Sequence, residues 1–422
     1  MDIHIVESGD TLNSIASIYN VSLDKLIEIN GITDPDKLVV GQSILVPING
    51  QYYKVSQGDT LSSIGQEFAL TIDELIKANA LNTASIRPND ILWIPDTNKP
   101  LIESGAYVYV GNLSEAPSIL VGEVANNLTY VNIFDYEVLE DGSLSYINDD
   151  AVIDAALSEN ANPIMVITNI KDGSFNTELA NTILSNQEVQ ETLIDNVINI
   201  VNEKGYTGVN VDFEYLGIEN KDKYIDFLRN LKQRLNETNP YLTLGVAVPP
   251  KTSSDQAGIL YEGHDYKSIG EIADRVYIMT YEWGYSYGPP MAVAPLDKVK
   301  DVMTYAITEI PKDKIIMGIP LYGYDWTLPY EDNKPAKSLN QVEAIELASN
   351  YGSEIKYDDV SESPYFNYND GENHIVWFED ARSYRAKMEL VKELGIEGLF
   401  FWVLGFDAPQ AFTLLNNEFF IL

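Results

Sequence analysis

From residue 101 onward the chain alternates between short runs of β-branched and aromatic residues and longer stretches whose apolar positions recur with a helical period. The runs fall at Ala106–Val110, Tyr130–Phe134, Ile164–Ile170, Gly208–Phe213, Leu242–Val248, Arg275–Tyr281, Ile315–Leu321 and Gly398–Trp402, and each predicts a strand. The stretches between them, among them Val189–Glu203, Asp222–Asn236 and Leu296–Glu309, predict amphipathic helices. Eight strands alternating with helices predict an α/β fold, a TIM (β/α)8 barrel spanning residues 101–422. The last gap is long. Residues 322–378 carry a helical pattern near Leu339–Tyr351 and strand-like pieces near Tyr365 and Ile375, which predicts a small α+β insertion above the barrel's C-terminal face.

The first 95 residues repeat themselves. His4-Ile-Val-Glu-Ser-Gly-Asp-Thr-Leu12 returns as Tyr53-Lys-Val-Ser-Gln-Gly-Asp-Thr-Leu61, and Ile15, Leu26 and Asn30 return as Ile64, Leu75 and Asn79. Each copy reads strand, helix, helix, closing strand, so two βααβ units are expected at 1–48 and 51–96. Asp96-Thr-Asn-Lys-Pro100 is a short polar linker. Helix capping explains Asp-Thr before an apolar run, but it does not explain a whole spacing kept twice.

Composition narrows the chemistry. The 422 residues include no cysteine, so disulfides and thiolate metal sites are excluded, and three scattered histidines offer no paired-ligand spacing. No metal and no cofactor is predicted. A net charge of −37, from 27 basic and 64 acidic residues, argues against nucleic acid or an anionic membrane surface as partner. No apolar run is long enough to span a bilayer, and Met1-Asp2-Ile3-His4 opens without the basic and apolar regions of a Sec signal peptide, so neither a membrane span nor Sec export is expected.

The candidate chemistry sits in Gly208-Val-Asn-Val-Asp-Phe-Glu214. Period-2 geometry puts Val209, Val211 and Phe213 on one face and Asn210, Asp212 and Glu214 on the other. Such a polar face is costly in a buried strand unless it opens into a site. In a barrel of this kind, active residues lie where strands end. Tyr281 ends the sixth strand in Met279-Thr-Tyr-Glu-Trp-Gly284, Tyr322, Tyr324 and Trp326 follow the seventh, and Trp402 ends the eighth. Paired carboxylates among aromatic faces suit sugar hydrolysis. Because Asp212 and Glu214 share one side, the substrate's own 2-acetamido group is the expected nucleophile if no third carboxylate faces them.

Two resemblances follow from these residues. The repeats resemble the LysM module, which implies recognition of N-acetylglucosamine in peptidoglycan or chitin. The implied contacts are Gly9, Asp10, Thr11 and Leu12, with Gly58, Asp59, Thr60 and Leu61 in the second copy. The facing rims are Asp34–Val40 and Asn82–Pro88. Residues 101–422 resemble glycoside hydrolase family 18, whose pattern Asp-Gly-x-Asp-x-Asp-x-Glu is met here by Gly208, Asp212 and Glu214. The first two acidic positions are instead Thr207 and Asn210. Met279 and Tyr281 meet the family's Met-x-Tyr-Asp, with Glu282 in place of the Asp.

The second resemblance implies Glu214 as general acid and then base, Asp212 as the group that orients the acetamido and stabilises the oxazolinium, and Tyr281 as a hydrogen-bond donor to it. Asn210, Met279, Trp283, Tyr322, Trp326 and Trp402 are the implied substrate-binding residues. The segments Tyr281–Pro290 and His374–Asp380, with Asn210 and the twin modules, are similar to the family's spore cortex-lytic branch. That implies an N-acetylglucosaminidase acting on cortex glycan during germination, a monomer located at the spore coat and cortex or the cell wall. A chitinase acting on chitin oligomers and a non-catalytic N-acetylglucosamine-binding barrel are the alternatives. Retention of Glu214 speaks against the latter.

Overall fold

The computed structural model describes residues 1–48, 50–68, 70–79, 81, 83–95, 99–111 and 116–422. Asn82, on the rim expected for the second sugar groove, and residues 96–98 of the linker lie outside them. Eight parallel strands close into a barrel: Leu101–Tyr109, Tyr130–Glu137, Asn162–Thr168, Gly208–Asp212, Thr243–Val248, Arg275–Ile278, Ile315–Pro320 and Gly398–Trp402. The ring shuts where Gly398–Phe401 pair with Glu103–Ala106. Helices cover the outside, and Val209, Val211 and Phe213 are buried beneath them, as the alternation in the fourth strand requires.

Three strands differ from their expected limits by three residues or more; the second runs on from Phe134 to Glu137. The first begins at Leu101 rather than Ala106, because Leu101 and Ile102 also pair with a short ninth strand, Phe420–Ile421. Its Glu103 is buried at the barrel floor, where it receives the Arg275 guanidinium and the Tyr130 hydroxyl at 3.1 Å. That ion pair explains a charge inside a strand that reads otherwise as a core element. The sixth strand stops at Ile278, not Tyr281. Beyond it the chain is held by Met279 N donating to Val248 O (3.0 Å) and by Thr280 Oγ1 donating to Gly318 O (2.7 Å), and Glu282 turns into the left-handed region at φ +66°.

Between the seventh and eighth strands lies an antiparallel five-stranded sheet built from Tyr322–Leu328, Lys337–Asn340, Lys356–Asp358, Ser363–Asn369 and Asn373–Trp377. Its helix, Gln341–Tyr351, starts two residues later than the periodicity suggests. Lys337–Asn340 pair instead with Tyr322–Asp325, and Asn340 caps the helix. Among the described residues, no helix is long and apolar enough to cross a membrane.

Each N-terminal unit is a two-stranded antiparallel sheet with two helices. The repeated asparagine is its fastener. Asn30 donates to Leu26 O and Leu45 O and accepts from Leu45 N, and Asn79 does the same with Leu75 O and Trp93. The second unit has its own apolar core, whereas Ile29 and Leu45 of the first are continuous with the barrel core.

The first unit is therefore docked on the barrel. Gln410, on the last barrel helix (Pro409–Glu418), donates to Asn30 Oδ1 (2.7 Å) and Ser43 O (2.9 Å). Its own oxygen accepts from Ala381 N (2.8 Å) and from Gln341 of the insertion. Gly41 (φ +84°) runs so close to the insertion that a Cβ there would meet Ile355 O at 1.8 Å, and Ile355 N donates to Val40 O. One buried glutamine thus joins unit, insertion and barrel. Replacing it by alanine strands several buried polar groups, each worth about 1–3 kcal/mol when unpaired. Gln410→Ala is expected to lower the urea midpoint of the full chain by an amount in that range and to make residues 1–48 sensitive to limited proteolysis. An unchanged midpoint and digestion pattern would refute the keystone role.

Candidate active site

At the C-terminal mouth of the barrel the fourth strand delivers Asp212 into the interior, and the chain then turns sharply through Glu214 and Tyr215, the latter at φ +53°. The backbone of this turn is clamped at three successive residues. His264 Nε2 lies 2.9 Å from Phe213 O; Asn169 accepts from Glu214 N (2.8 Å) and donates to Glu214 O (2.9 Å); Thr177 Oγ1 donates to Tyr215 O (2.6 Å). Burial pulls the His264 ring down to about 4, so it stays neutral and bonds the carbonyl as a donor. Phe213 itself is stacked between Phe227 and Tyr224 on the outer face. Glu214 is aimed by its backbone rather than by bonds to its carboxylate, which leaves that group free to move protons.

Burial dominates the electrostatics. It pushes Asp212 up to about 7, with the Asp135 charge adding to the effect. It pushes Glu214 well above the ordinary carboxylate range, reinforced by Asp212 and Glu282. The cluster titrates as a unit in which a proton is retained into neutral pH. Glu214 keeps partial access to the cleft while Asp212 is only 3% exposed. A protonated acid beside a buried carboxylate is the arrangement that glycosidic-bond protonation requires.

Around this pair stands an aromatic wall. Trp402 packs against Tyr107, Phe134 and Tyr109 with ring centroids 5.2 to 5.6 Å apart, and it lies nearly parallel to Tyr281 at 6.5 Å. Gly318 makes room for Tyr281, since a Cβ there would sit 2.8 Å from the phenol ring. Trp402, Trp283 and Met279 remain partly accessible and Tyr281 lies just beneath the surface. Glu282 reaches across to accept from Tyr322 and, at 3.0 Å, from Tyr324. The longer side chain at a position where the family pattern has Asp thus ties the insertion's first strand to the site.

Three expected contacts lie elsewhere. Trp326 is 1% exposed and donates its indole N–H to Gly288 O (2.9 Å), so it supports the insertion from below instead of lining the cleft. Tyr322 is buried and spends its hydroxyl on Glu282. Asn210 is fully buried beneath Asp212, donating to Tyr107 OH (2.6 Å) and Asn132 Oδ1 (3.3 Å), out of reach of a sugar.

In the repeats, Leu12 and Leu61 point into the unit cores. Asp10 accepts from Glu7 N and contacts His4, and Asp59 accepts from Ser56 N and Tyr53 OH, so both fasten their loops. Thr11 and Thr60 cap helices. What these loops present outward is chiefly the backbone at Gly9 and Gly58, both at positive φ. On the opposite rim Val39 is buried against the insertion.

Asn169, Thr177, His264 and Asp135 escaped the sequence reading as site residues. For Asn169 and Asp135 the available signal was a polar residue at the C-terminal end of an apolar strand. The clamps from Thr177 and His264 arise from distant segments and leave no local pattern.

Comparison with known proteins places the chain. The family model described as glycosyl hydrolases family 18 matches residues 116–407, and the LysM domain model matches 4–47 and 53–95. A cortical fragment-lytic enzyme of Bacillus subtilis (strain 168) is 43% identical over 425 residues, covering 99% of this chain and 98% of the relative. The crystal structure of the spore cortex-lytic enzyme SleL of Bacillus megaterium QM B1551 superposes with a TM-score of 0.92 at 41% identity, covering 100% of this chain and 98% of that one. That of the Bacillus cereus SleL gives 0.88 at 38%, with the same coverage.

The buried Asn210 makes a test of the cluster. Among the described residues its Oδ1 has no donor, and neither does Asp212 Oδ1. Asn210→Asp adds a like charge beside carboxyls already raised by burial, so their pKa values should rise further. Both limbs of the kcat profile are expected to move to higher pH: the alkaline limb because Glu214 holds its proton longer, the acid limb because Asp212 ionises later. A profile that overlays wild type on both limbs would show that position 210 does not set the charge of the pair.

Proposed function

The chain belongs to glycosyl hydrolases family 18 and carries two LysM domains, and we propose that it hydrolyses N-acetylglucosaminyl bonds of bacterial spore cortex peptidoglycan during germination. The observation that carries this reading is the end-to-end likeness to cortical fragment-lytic enzymes, with modules, barrel and insertion all included. The expected place of action is the spore cortex and coat region or the cell wall, with cortex glycan strands or their fragments as partner and a monomer as the working unit.

The mechanism supported by the geometry runs in two steps. Glu214, protonated, gives its proton to the glycosidic oxygen as the bond from C1 to that oxygen breaks. The carbonyl oxygen of the substrate's own acetamido group closes on C1 from the opposite side and forms an oxazolinium ion. Asp212, ionised at that moment, accepts the acetamido N–H and faces the positive charge. Tyr281 donates its hydroxyl to the acetamido oxygen, and Trp402 floors the reacting sugar. Glu214, now a carboxylate, takes a proton from water whose oxygen attacks C1, releasing the sugar with its configuration retained.

Asp135 and Glu282 also border the cleft, so an enzymic nucleophile has to be weighed. Glu282 has one oxygen engaged by two phenols and Asp135 one by the Thr168 hydroxyl, which supports the acetamido instead. Both LysM domains would hold the enzyme on glycan and raise its local concentration there.

Glu214→Gln is expected to lower turnover on unactivated muropeptides by roughly 10²–10⁴-fold while binding persists. A variant keeping a third of wild-type turnover would end the assignment of the acid. Mass spectrometry of products from purified cortex fragments is expected to give N-acetylglucosamine at the new reducing ends. Early-time NMR should give a retained anomer, and a de-acetylated analogue should not be cleaved. Muramic acid at the reducing ends, or equal rates on chitin oligomers, would contradict the cortex reading; inversion would contradict substrate assistance.

A further inference from the structure

Asp135 is a carboxylate at the barrel mouth that the family pattern does not include. It stands on the second barrel strand, where the pairing with the third slips: Ile133 faces Met165, but Tyr136 faces Ile167, so Phe134 and Asp135 together oppose a single residue. Such a bulge re-aims the side chains within it. Phe134 turns onto Trp402, and Asp135 Oδ2 accepts a hydrogen bond of 2.6 Å from Thr168 Oγ1. Thr168 is in turn the register partner of Asp212 on the fourth strand. Three neighbouring strands therefore place Asp135, Thr168 and Asp212 in one row across the mouth.

The other faces of Asp212 offer no compensation. Beneath it, Asn210 has committed its amide N–H to Tyr107 and Asn132. Tyr107 and Tyr109 face it from the first strand, Tyr224 from the helix that follows the fourth, Tyr281 from beyond the sixth, and Glu214 from two residues past the end of its own strand, with Glu282 bearing on Glu214 in turn. Every group in that ring is neutral or acidic. Among the described residues, Asp212 Oδ1 is buried with no donor. In the family pattern an acid stands at position 210; here that position is an amide.

We infer that Asp135 is a positioning residue for Asp212, supplying from the neighbouring strand the negative charge that the chain lacks at Asn210. Burial raises Asp135 above the ordinary carboxylate range, and the Thr168 hydroxyl opposes that rise by favouring the charged form and holding it toward the row. Asp212 accordingly keeps its proton to higher pH in the empty site, and it must lose that proton to solvent before it can face the positive charge of the oxazolinium. Burial of Asp212 and the Asp135 charge act in the same direction on that proton. This role deepens the substrate-assisted reading and rests on it.

The test is a ¹³C-carboxyl NMR titration of Asp212 in the full-length protein, paired with the pH profile of kcat/KM on cortex fragments. Removing the like charge in Asp135→Asn should move the Asp212 transition down by about one pH unit, and the acid limb of the profile should move with it. Thr168→Val destabilises ionised Asp135 without removing it, so the shift should be in the same direction and smaller. If Asp135→Asn does not fold, as judged by its thermal melt, Thr168→Val alone decides. Lowered turnover with both the titration and the acid limb unmoved would assign Asp135 a merely structural part and overturn the inference, as would an upward shift. The titration needs no substrate, so inactivity on cortex fragments would count against the proposed substrate while leaving the Asp135 result to stand separately.

Discussion

A carboxyl group holds its proton into neutral pH where water is scarce or where the neighbouring charges share its sign. The barrel mouth meets both conditions at once. Closing eight strands excludes water from the inner face of the fourth, and Asp212 and Glu214 then have carboxylates, phenols and amides around them in place of cations. The fold tolerates this destabilising arrangement because it is confined to the end of one strand, with close-packed apolar residues on its other face. Rigidity is delivered separately, through the backbone clamps on residues 213–215. Charge and position are thus set by different residues, and changing one need not disturb the other.

Much of the barrel was legible because its strands obey a simple rule: buried on both faces, they read as continuous apolar runs. The exceptions lie where another interaction intervenes. Leu101–Gly105 fall outside the apolar run because Glu103 interrupts it, yet an ion pair with Arg275 permits the charge. Tyr281 looked like a strand end because Met279–Tyr281 continues the apolar pattern, but the ladder stops at Ile278 and a left-handed turn at Glu282 follows. The carboxylate pair was legible from alternation alone. Trp326 was not, since its aromatic spacing with Tyr322 and Tyr324 gives no hint that the sheet carries it down to Gly288. Asp135 was hidden for a related reason: a bulge changes direction without changing composition.

The two LysM domains illustrate how like sequences take unlike stations. Asn30 and Asn79 make the same internal bonds, yet only Asn30 is also met by Gln410. With Val39 against the insertion and Gly41 against Ile355, part of the first module's far rim is given over to holding the molecule together.

That docking joins the two ends of the chain. Gln410 lies 380 residues from Asn30, and the Arg385 guanidinium donates to the carbonyl of Met1 across 384. During synthesis the first module emerges early and can build its own small sheet, but the surface it settles on does not exist until the last helix has left the ribosome. Its apolar flank at Ile29 and Leu45 must wait uncovered until the helix that carries Gln410 has been made. Completion of the barrel and docking of the first module are therefore a single event, and a chain cut short before that helix leaves the module unfinished as well as the barrel.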